Sequence, residues 1–168
     1  MKINTITKLE SANTLIIPIL KDDRLEEELL KRAKAIDYSM EELSQSFSGD
    51  KKEVLIVATP KKKFNKVIFI GLGKEPNSKD IINAFRSFFK SNKKKLSGEI
   101  VIDLKGIVEL AELIANGIPL ASYDIGMLKT REEEETNVFN NGSTFSFWIT
   151  ANQEEKIQSS ISKGLATA

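Results

Sequence analysis

Apolar residues along the chain fall into short continuous runs that alternate with longer amphipathic stretches. That is the pattern of strands packed between helices. Residues 2–6 read as a short strand, and residues 13–20 (NTLIIPIL) as a buried one. Pro18 within it points to an edge or a bulge, since proline cannot donate to a ladder. Asp22 or Asp23 can cap a helix to about residue 37, with Leu25, Leu29, Leu30, Ala33 and Ile36 on one stripe. Glu26, Glu27 and Glu28 suit its first turns, where the helix dipole favours negative charge.

Residues 53–59 (EVLIVAT) and 66–71 (KVIFIG) are apolar runs rich in β-branched side chains, as expected of strands covered on both faces. Asn77 or Ser78 can start a helix to residue 92, with Ile81, Ile82, Phe85, Phe88 and Phe89 as its apolar face. Residues 98–104 read as a strand. Residues 106–123 read as a helix so apolar that it belongs between the sheet and other protein, with a kink or early stop at Pro119. Residues 124–137 are loop-like, and Asn140-Asn141-Gly142 signals a turn. Residues 143–151 alternate with a period of two, placing Phe145, Phe147, Ile149 and Ala151 on one face. Asn152-Gln153-Glu154-Glu155 resembles a capping box that opens a last helix. Five or six strands interleaved with four or five helices predict a three-layer α/β/α domain with a mixed, mostly parallel sheet.

A chain of 168 residues accommodates one such domain comfortably. No apolar run reaches the length of a membrane span, and no signal-peptide pattern opens the sequence, so the expected location is cytoplasmic. Cysteine and histidine are both absent. Disulfides, thiol nucleophiles, imidazole bases and the common zinc sites are therefore excluded by composition. The formal charge of +1 conceals an uneven distribution: residues 1–49 carry −2, residues 50–99 carry +8 and residues 100–168 carry −5. The basic middle includes Lys61-Lys62-Lys63 and Lys93-Lys94-Lys95, which read as solvated loop lysines or as a surface for nucleic acid. Aromatic residues do not interleave with them as stacking platforms would require.

Ile70-Gly71-Leu72-Gly73-Lys74 is a strand ending in a glycine turn. It is not a P-loop, because Ile68 stands where that motif needs glycine and Glu75 where it needs Ser or Thr. It is not a dinucleotide fingerprint either, because Pro76 occupies the third glycine position. Glycines permitting a tight turn explain the stretch most simply. A nucleotide or ADP-ribose-like ligand at Gly71, Gly73 and Lys74 is the alternative. The acidic runs Asp22-Asp23 with Glu26–Glu28, and Glu132–Glu135, read as solvated rather than metal-binding, although the second suits neutralisation of a lysine run. Ser46 and Ser48 have no histidine to activate them, and nothing pairs either with a particular lysine. Tyr123 is expected to be a core residue with a hydrogen-bonded hydroxyl.

Several stretches, taken in order, resemble the N-terminal domain of the leucyl (cytosol) aminopeptidases, the M17 metallopeptidases. Phe47-Ser48-Gly49-Asp50-Lys51-Lys52-Glu53 resembles that family's F-x-G-K-x-x-E turn, and Val67 to Lys74 its apolar strand ending in G-L-G-K. Gly117-Ile118-Pro119-Leu120-Ala121-Ser122-Tyr123, followed by Lys129-Thr130, resembles its G-x-x-L-x-x-Y helix end. Pro119 and Gly126-Met127 depart from the usual sequence there. Gly164-Leu165-Ala166-Thr167-Ala168 resembles the start of a linker helix, its small residues suiting close packing against further protein.

The resemblance implies a macro-domain-like domain over residues 1–151 and a linker helix, 152–168, leading to a C-terminal catalytic domain. That domain would hold two divalent metals, Zn or Mn, that activate water against the N-terminal peptide bond. Its N-T-D-A-E-G-R-like stretch has no counterpart in this chain, so no catalytic or metal residue is carried over to any position here. The implied partner is the chain's own catalytic domain, within a homohexameric parent. The domain alone is expected to be non-catalytic and monomeric, and the chain's end at Ala168 reads as a boundary within a longer protein.

Overall fold

The computed structural model describes residues 1–59, 63–123 and 135–168. Among the described residues six strands form one sheet: β1 (Ile3–Ile6), β2 (Ala12–Leu20), β3 (Val54–Val57), β4 (Phe64–Gly73), β5 (Glu99–Asp103) and β6 (Thr144–Trp148). Their spatial order is β1-β6-β5-β2-β4-β3. Every neighbouring pair is parallel except β3 with β4, which is antiparallel. The helices are α1 (Leu25–Ala35), α2 (Met40–Ser46), α3 (Ser78–Asn92), α4 (Ala111–Leu120) and α5 (Glu154–Thr167). This is the predicted three-layer arrangement with a mixed, mostly parallel sheet.

Alternation along the strands divides the interior in two. Ile16, Ile68, Ile70, Ile100, Ile102 and Phe147 face one way, against Phe85, Phe89, Ile114, Ile118 and Ile157 of α3, α4 and α5. Leu15, Ile17, Val67, Phe69 and Val101 face the other way, against Leu29, Ala33, Ile36, Leu43 and Phe47 around α1 and α2. Strands buried on both faces need this continuous apolar character. Each fully buried Leu, Ile or Phe contributes roughly 2 kcal/mol to the driving force. α3 starts where the sequence places it. The Asn77 side chain accepts from the Asp80 amide, and the Asp80 carboxylate accepts from the Asn77 amide.

Several local expectations need correction. β3 is not covered on both faces: it is an edge strand, with Val54 40% and Ile56 49% exposed. The connection from residue 58 to 63 is too short for a crossover, so β3 can only pair antiparallel with β4 and has no helix beyond it. Pro18 lies in a central strand, yet at a position that behaves as an edge. Pairing of β2 with β5 ends at Ile16–Ile102, and the β2–β4 register shifts between Ile19 and Leu20. α2 has no counterpart among the predicted elements. Ser39 caps it by accepting from the Glu42 amide.

α1 has no side-chain cap: Asp22 instead accepts from the Arg24 amide, in the turn before the helix. The predicted box at the start of α5 does not form either. Thr150 ties Asn152 and Gln153 into a 3-10 turn, and the helix begins at Glu154 without a side-chain cap. The stretch from Gly106 is a 3-10 turn followed by α4, which ends at Leu120, one residue after Pro119. Tyr123 is 60% exposed and is not a core residue. The predicted loop lies mostly outside the described residues, together with Glu132–Glu134, Gly126-Met127 and Lys129-Thr130. α5 packs against α4, burying Ile157, Ile161 and Gly164, whereas Ala166 is exposed. A Cβ on Gly164 would stand 2.3 Å from the Glu112 carbonyl oxygen, so only glycine allows so close an approach.

Candidate functional site

The C-terminal ends of parallel strands are where open α/β sheets ordinarily take ligands. In this chain the end of β4 is Gly71-Leu72-Gly73, which continues the strand where the sequence suggested a turn. It is filled by the chain's own turn at residues 48–53. The Gly71 amide donates to the Glu53 carbonyl (2.7 Å), the Gly73 amide to the Gly49 carbonyl (3.0 Å), and the Lys52 amide to the Gly71 carbonyl (3.0 Å). The Gly73 carbonyl accepts from the Lys21 amide at the end of β2 (3.0 Å). A Cβ on Gly71 would lie 2.0 Å from the Asp50 carbonyl oxygen. Gly73 has φ +78° and would press a Cβ onto Lys51. The two glycines are needed because one piece of backbone lies directly on another, and their amides are already paired.

Side chains fasten the same junction. Ser48 donates its hydroxyl to Asp50 (3.0 Å) and Glu53 (3.1 Å), and Glu53 accepts from the Ser48 and Asp50 amides (2.9 and 3.2 Å). Lys21 donates to Asp50 at 2.6 Å, and Lys51 to Asp80 at 2.9 Å. The Lys21 hydrogen bond, followed by that of Ser48, holds the Asp50 carboxyl below its ordinary value. The Lys51 hydrogen bond, followed by the Asn77 amide, does the same for Asp80. Lys74 is exposed at the rim and adds only a weaker charge effect on Asp50. Gly71, Gly73 and Lys74 are thus together in space, but the phosphate-sized position over the glycine amides is taken by residues 49–53.

The end of β5 is closed in another way. Asp103, fully buried, pairs with Arg32 of α1 and accepts from the Lys105 amide (3.0 Å). The Lys105 ammonium sits 3.1 Å above the Trp148 ring. Burial pushes the Lys105 pKa down, against the Asp103 charge, which raises it. Glu28 approaches Arg32 Nε at 3.6 Å. The sequence offered no sign of this cluster, because its members are scattered over residues 28–148.

Among the described residues, no group of three His, Cys, Asp or Glu side chains could hold a metal ion. The carboxylates at the sheet end are committed to lysine, arginine, serine or backbone amides, so this donor set does not fit a metal pair. A surface depression of about 720 Å³ between α1 and α2 is lined by Leu25, Leu30, Met40 and Phe47 together with Glu26 and Glu27. Of the basic residues in the middle of the chain, Lys66 donates to the Lys95 carbonyl (2.9 Å), and Lys94 pairs with Glu135. The acidic run thus does reach a lysine run, through its last member. No described helix is long and apolar enough to cross a membrane.

The architecture is shared with a solved tomato leucine aminopeptidase mutant, with a TM-score of 0.67 at 16% identity. The superposition covers 97% of this chain but 35% of the tomato protein, so the chain spans about a third of that structure's length. No curated protein matches it in sequence. Residues 16–132 match the profile of the cytosol aminopeptidase family, N-terminal domain. The matched stretch begins within β2, well before the motifs at residues 47–74, and takes in α1. It includes both the 47–53 turn and the glycine-containing strand end that receives it. It ends before the strand and helix at residues 144–167, which the shared architecture covers. The chain therefore belongs to the cytosol aminopeptidase family, as its N-terminal domain.

Proposed function

We propose that this chain is a non-catalytic, structural and regulatory module of a metal-dependent aminopeptidase that releases N-terminal amino acids from peptides. The observation that carries the reading is the mutual docking of residues 48–53 and 71–73. The two stretches that most resemble the family are used on each other, to hold the ends of β2 and β4 in register. No nucleophile or metal set is assembled from them. Chemistry then belongs to a second domain, with two divalent metals, Zn or Mn, reached through a helix continuing α5. The intact protein would be cytoplasmic and homohexameric, and this domain alone a monomer that packs on its catalytic partner.

The test is direct. The chain is incubated with leucine p-nitroanilide and either manganese or zinc. No turnover above the metal alone is expected, whereas a fusion to a catalytic domain of the family should cleave the substrate. Metal-dependent turnover by the isolated chain would overturn the reading. A hexamer of the isolated chain in sedimentation would overturn its assembly part. Neither an ADP-ribose-like ligand at Gly71 and Gly73 nor nucleic acid on the lysine-rich segment has an observation in its favour. The amides that would meet a phosphate are already bonded, and two of the lysines are paired within the chain.

A further inference from the structure

Two Asn-Gly pairs occur in the sequence, Asn116-Gly117 and Asn141-Gly142. In such a pair the glycine nitrogen can attack the side-chain amide carbon of the asparagine, because no Cβ shields the approach. Whether it does so depends on how the nitrogen and the amide are held, and the two sites are held in opposite ways.

Asn116-Gly117 is inside α4, where the glycine amide lies in the helix ladder and the backbone cannot turn toward its own side chain. Gly117 is wedged against α3, where a Cβ would be 2.6 Å from the Ile82 carbonyl oxygen. The Asn116 amide nitrogen is bonded to the Gly164 carbonyl (3.2 Å) and the Thr167 hydroxyl (2.9 Å).

Asn141-Gly142 is in the turn before β6. Gly142 is exposed, has φ +81°, and has nothing within 4 Å of the position a Cβ would take. No acceptor among the described residues meets its amide. The Asn141 side-chain oxygen accepts from the Ser143 amide (3.0 Å) and from the Ser143 hydroxyl. Two donors on one carbonyl oxygen polarise it and stand ready for negative charge developing there, the arrangement that stabilises tetrahedral intermediates elsewhere. The nucleophile has no acceptor among the described residues, and the electrophile is activated.

We propose that Asn141 is a self-modification site, converted through a cyclic imide with Gly142 to aspartate and isoaspartate. The Gly142 nitrogen loses its proton to solvent base and forms a bond to the Asn141 Cγ. The charge on the oxygen is held by the two Ser143 donors. Collapse breaks the bond to Nδ2, which takes a proton from water and leaves as ammonia. Water then opens either carbonyl of the imide, giving aspartate or a backbone rerouted through the side chain. The net change is amide plus water to carboxyl plus ammonia, with no oxidation.

The product loses a structural bond. The Asn141 amide nitrogen now donates to the Leu96 carbonyl (3.0 Å), tying this turn to the segment between α3 and β5. A carboxylate there has no proton to give and faces the carbonyl oxygen instead. An isoaspartate would moreover offer a free carboxyl suited to a repair methyltransferase of that specificity.

The full chain is aged in mildly alkaline buffer beside a synthetic peptide of residues 137–146, and both are mapped by mass spectrometry. Conversion of Asn141 but not Asn116 is expected, at least as fast in the chain as in the peptide and faster at higher pH. Ser143→Ala should slow the chain roughly tenfold and leave the fold, read by circular dichroism, unchanged. Equal conversion at Asn116, an unmodified Asn141, or a chain slower than the peptide would overturn the proposal. A Ser143→Ala chain that reacts at the parent rate would remove the activation argument.

Discussion

Gly71 is the residue whose role is most sharply defined by its surroundings. An alanine methyl there would overlap the Asp50 carbonyl, and backbone on both sides leaves nothing flexible to yield. Gly71→Ala is expected to cost about 3 kcal/mol or to undock the 48–53 turn. Urea denaturation combined with amide exchange on residues 48–53 distinguishes the two. Gly73→Ala imposes a left-handed backbone on an L residue and should cost roughly 1–2 kcal/mol. The sequence announced these glycines as a turn, and their neighbours excluded a phosphate motif. It could not indicate what they receive, because Gly49 and Asp50 meet them only through the antiparallel pairing of β3 with β4.

Asp103 is a second residue with a definite expectation. It is fully buried and its charge is balanced by Arg32. Asp103→Ala would leave the largely buried guanidinium with only the more distant Glu28, a loss of about 3 kcal/mol. The pair of substitutions Asp103→Leu and Arg32→Met should recover most of that loss. Chemical denaturation of the three variants provides the comparison. Nothing in the sequence pairs positions 32 and 103, and Asp103 reads there merely as the polar end of a strand.

At the scale of elements, the clasp between residues 48–53 and the sheet is held by carboxylates, so it responds to acid. Asp50 and Asp80 have folded pKa values below the ordinary 3.8. For a depressed carboxyl the stabilisation is complete above the unfolded value and disappears as pH falls through the folded one. The part of the clasp carried by Asp50 and Asp80 should therefore be intact at neutral pH and be lost as pH falls below 3.8, and Lys21→Met should move that loss upward in pH. Exchange of the residue 48–53 amides across an acid titration follows it.

β3 shows how a pattern misleads when coverage is not encoded locally. Four apolar residues in a row look the same on an edge as in the middle of a sheet, and only the short β3–β4 connection betrays the difference. Its exposed row makes a further expectation. Ile56→Lys should alter stability by less than about 0.5 kcal/mol while reducing self-association in light scattering, since charge on an edge strand opposes pairing with another chain. α2, only seven residues long, offered too few apolar positions to reveal a period.

Across the whole molecule, fold class was legible because doubly buried strands and one-sided helices have distinct periods, and those periods repeat along the chain. Family was legible through the order of short motifs that are each weak alone. Strand order was not legible: β5 inserts beside β2, and β1 finds β6, through contacts that no local pattern records. The clusters at the ends of β4 and β5 stayed hidden for the same reason, being assembled by that order.

The order has a consequence for how the molecule comes together. β3 and β4 are joined by a short hairpin and can pair early, with α3 following directly. Ile3, by contrast, must meet Phe145, 142 positions farther along the chain. β1 can dock only after β5 and β6 have presented an edge to it. Assembly thus runs outward from the hairpin, and β1, four residues long, is the last strand to arrive and the first to leave.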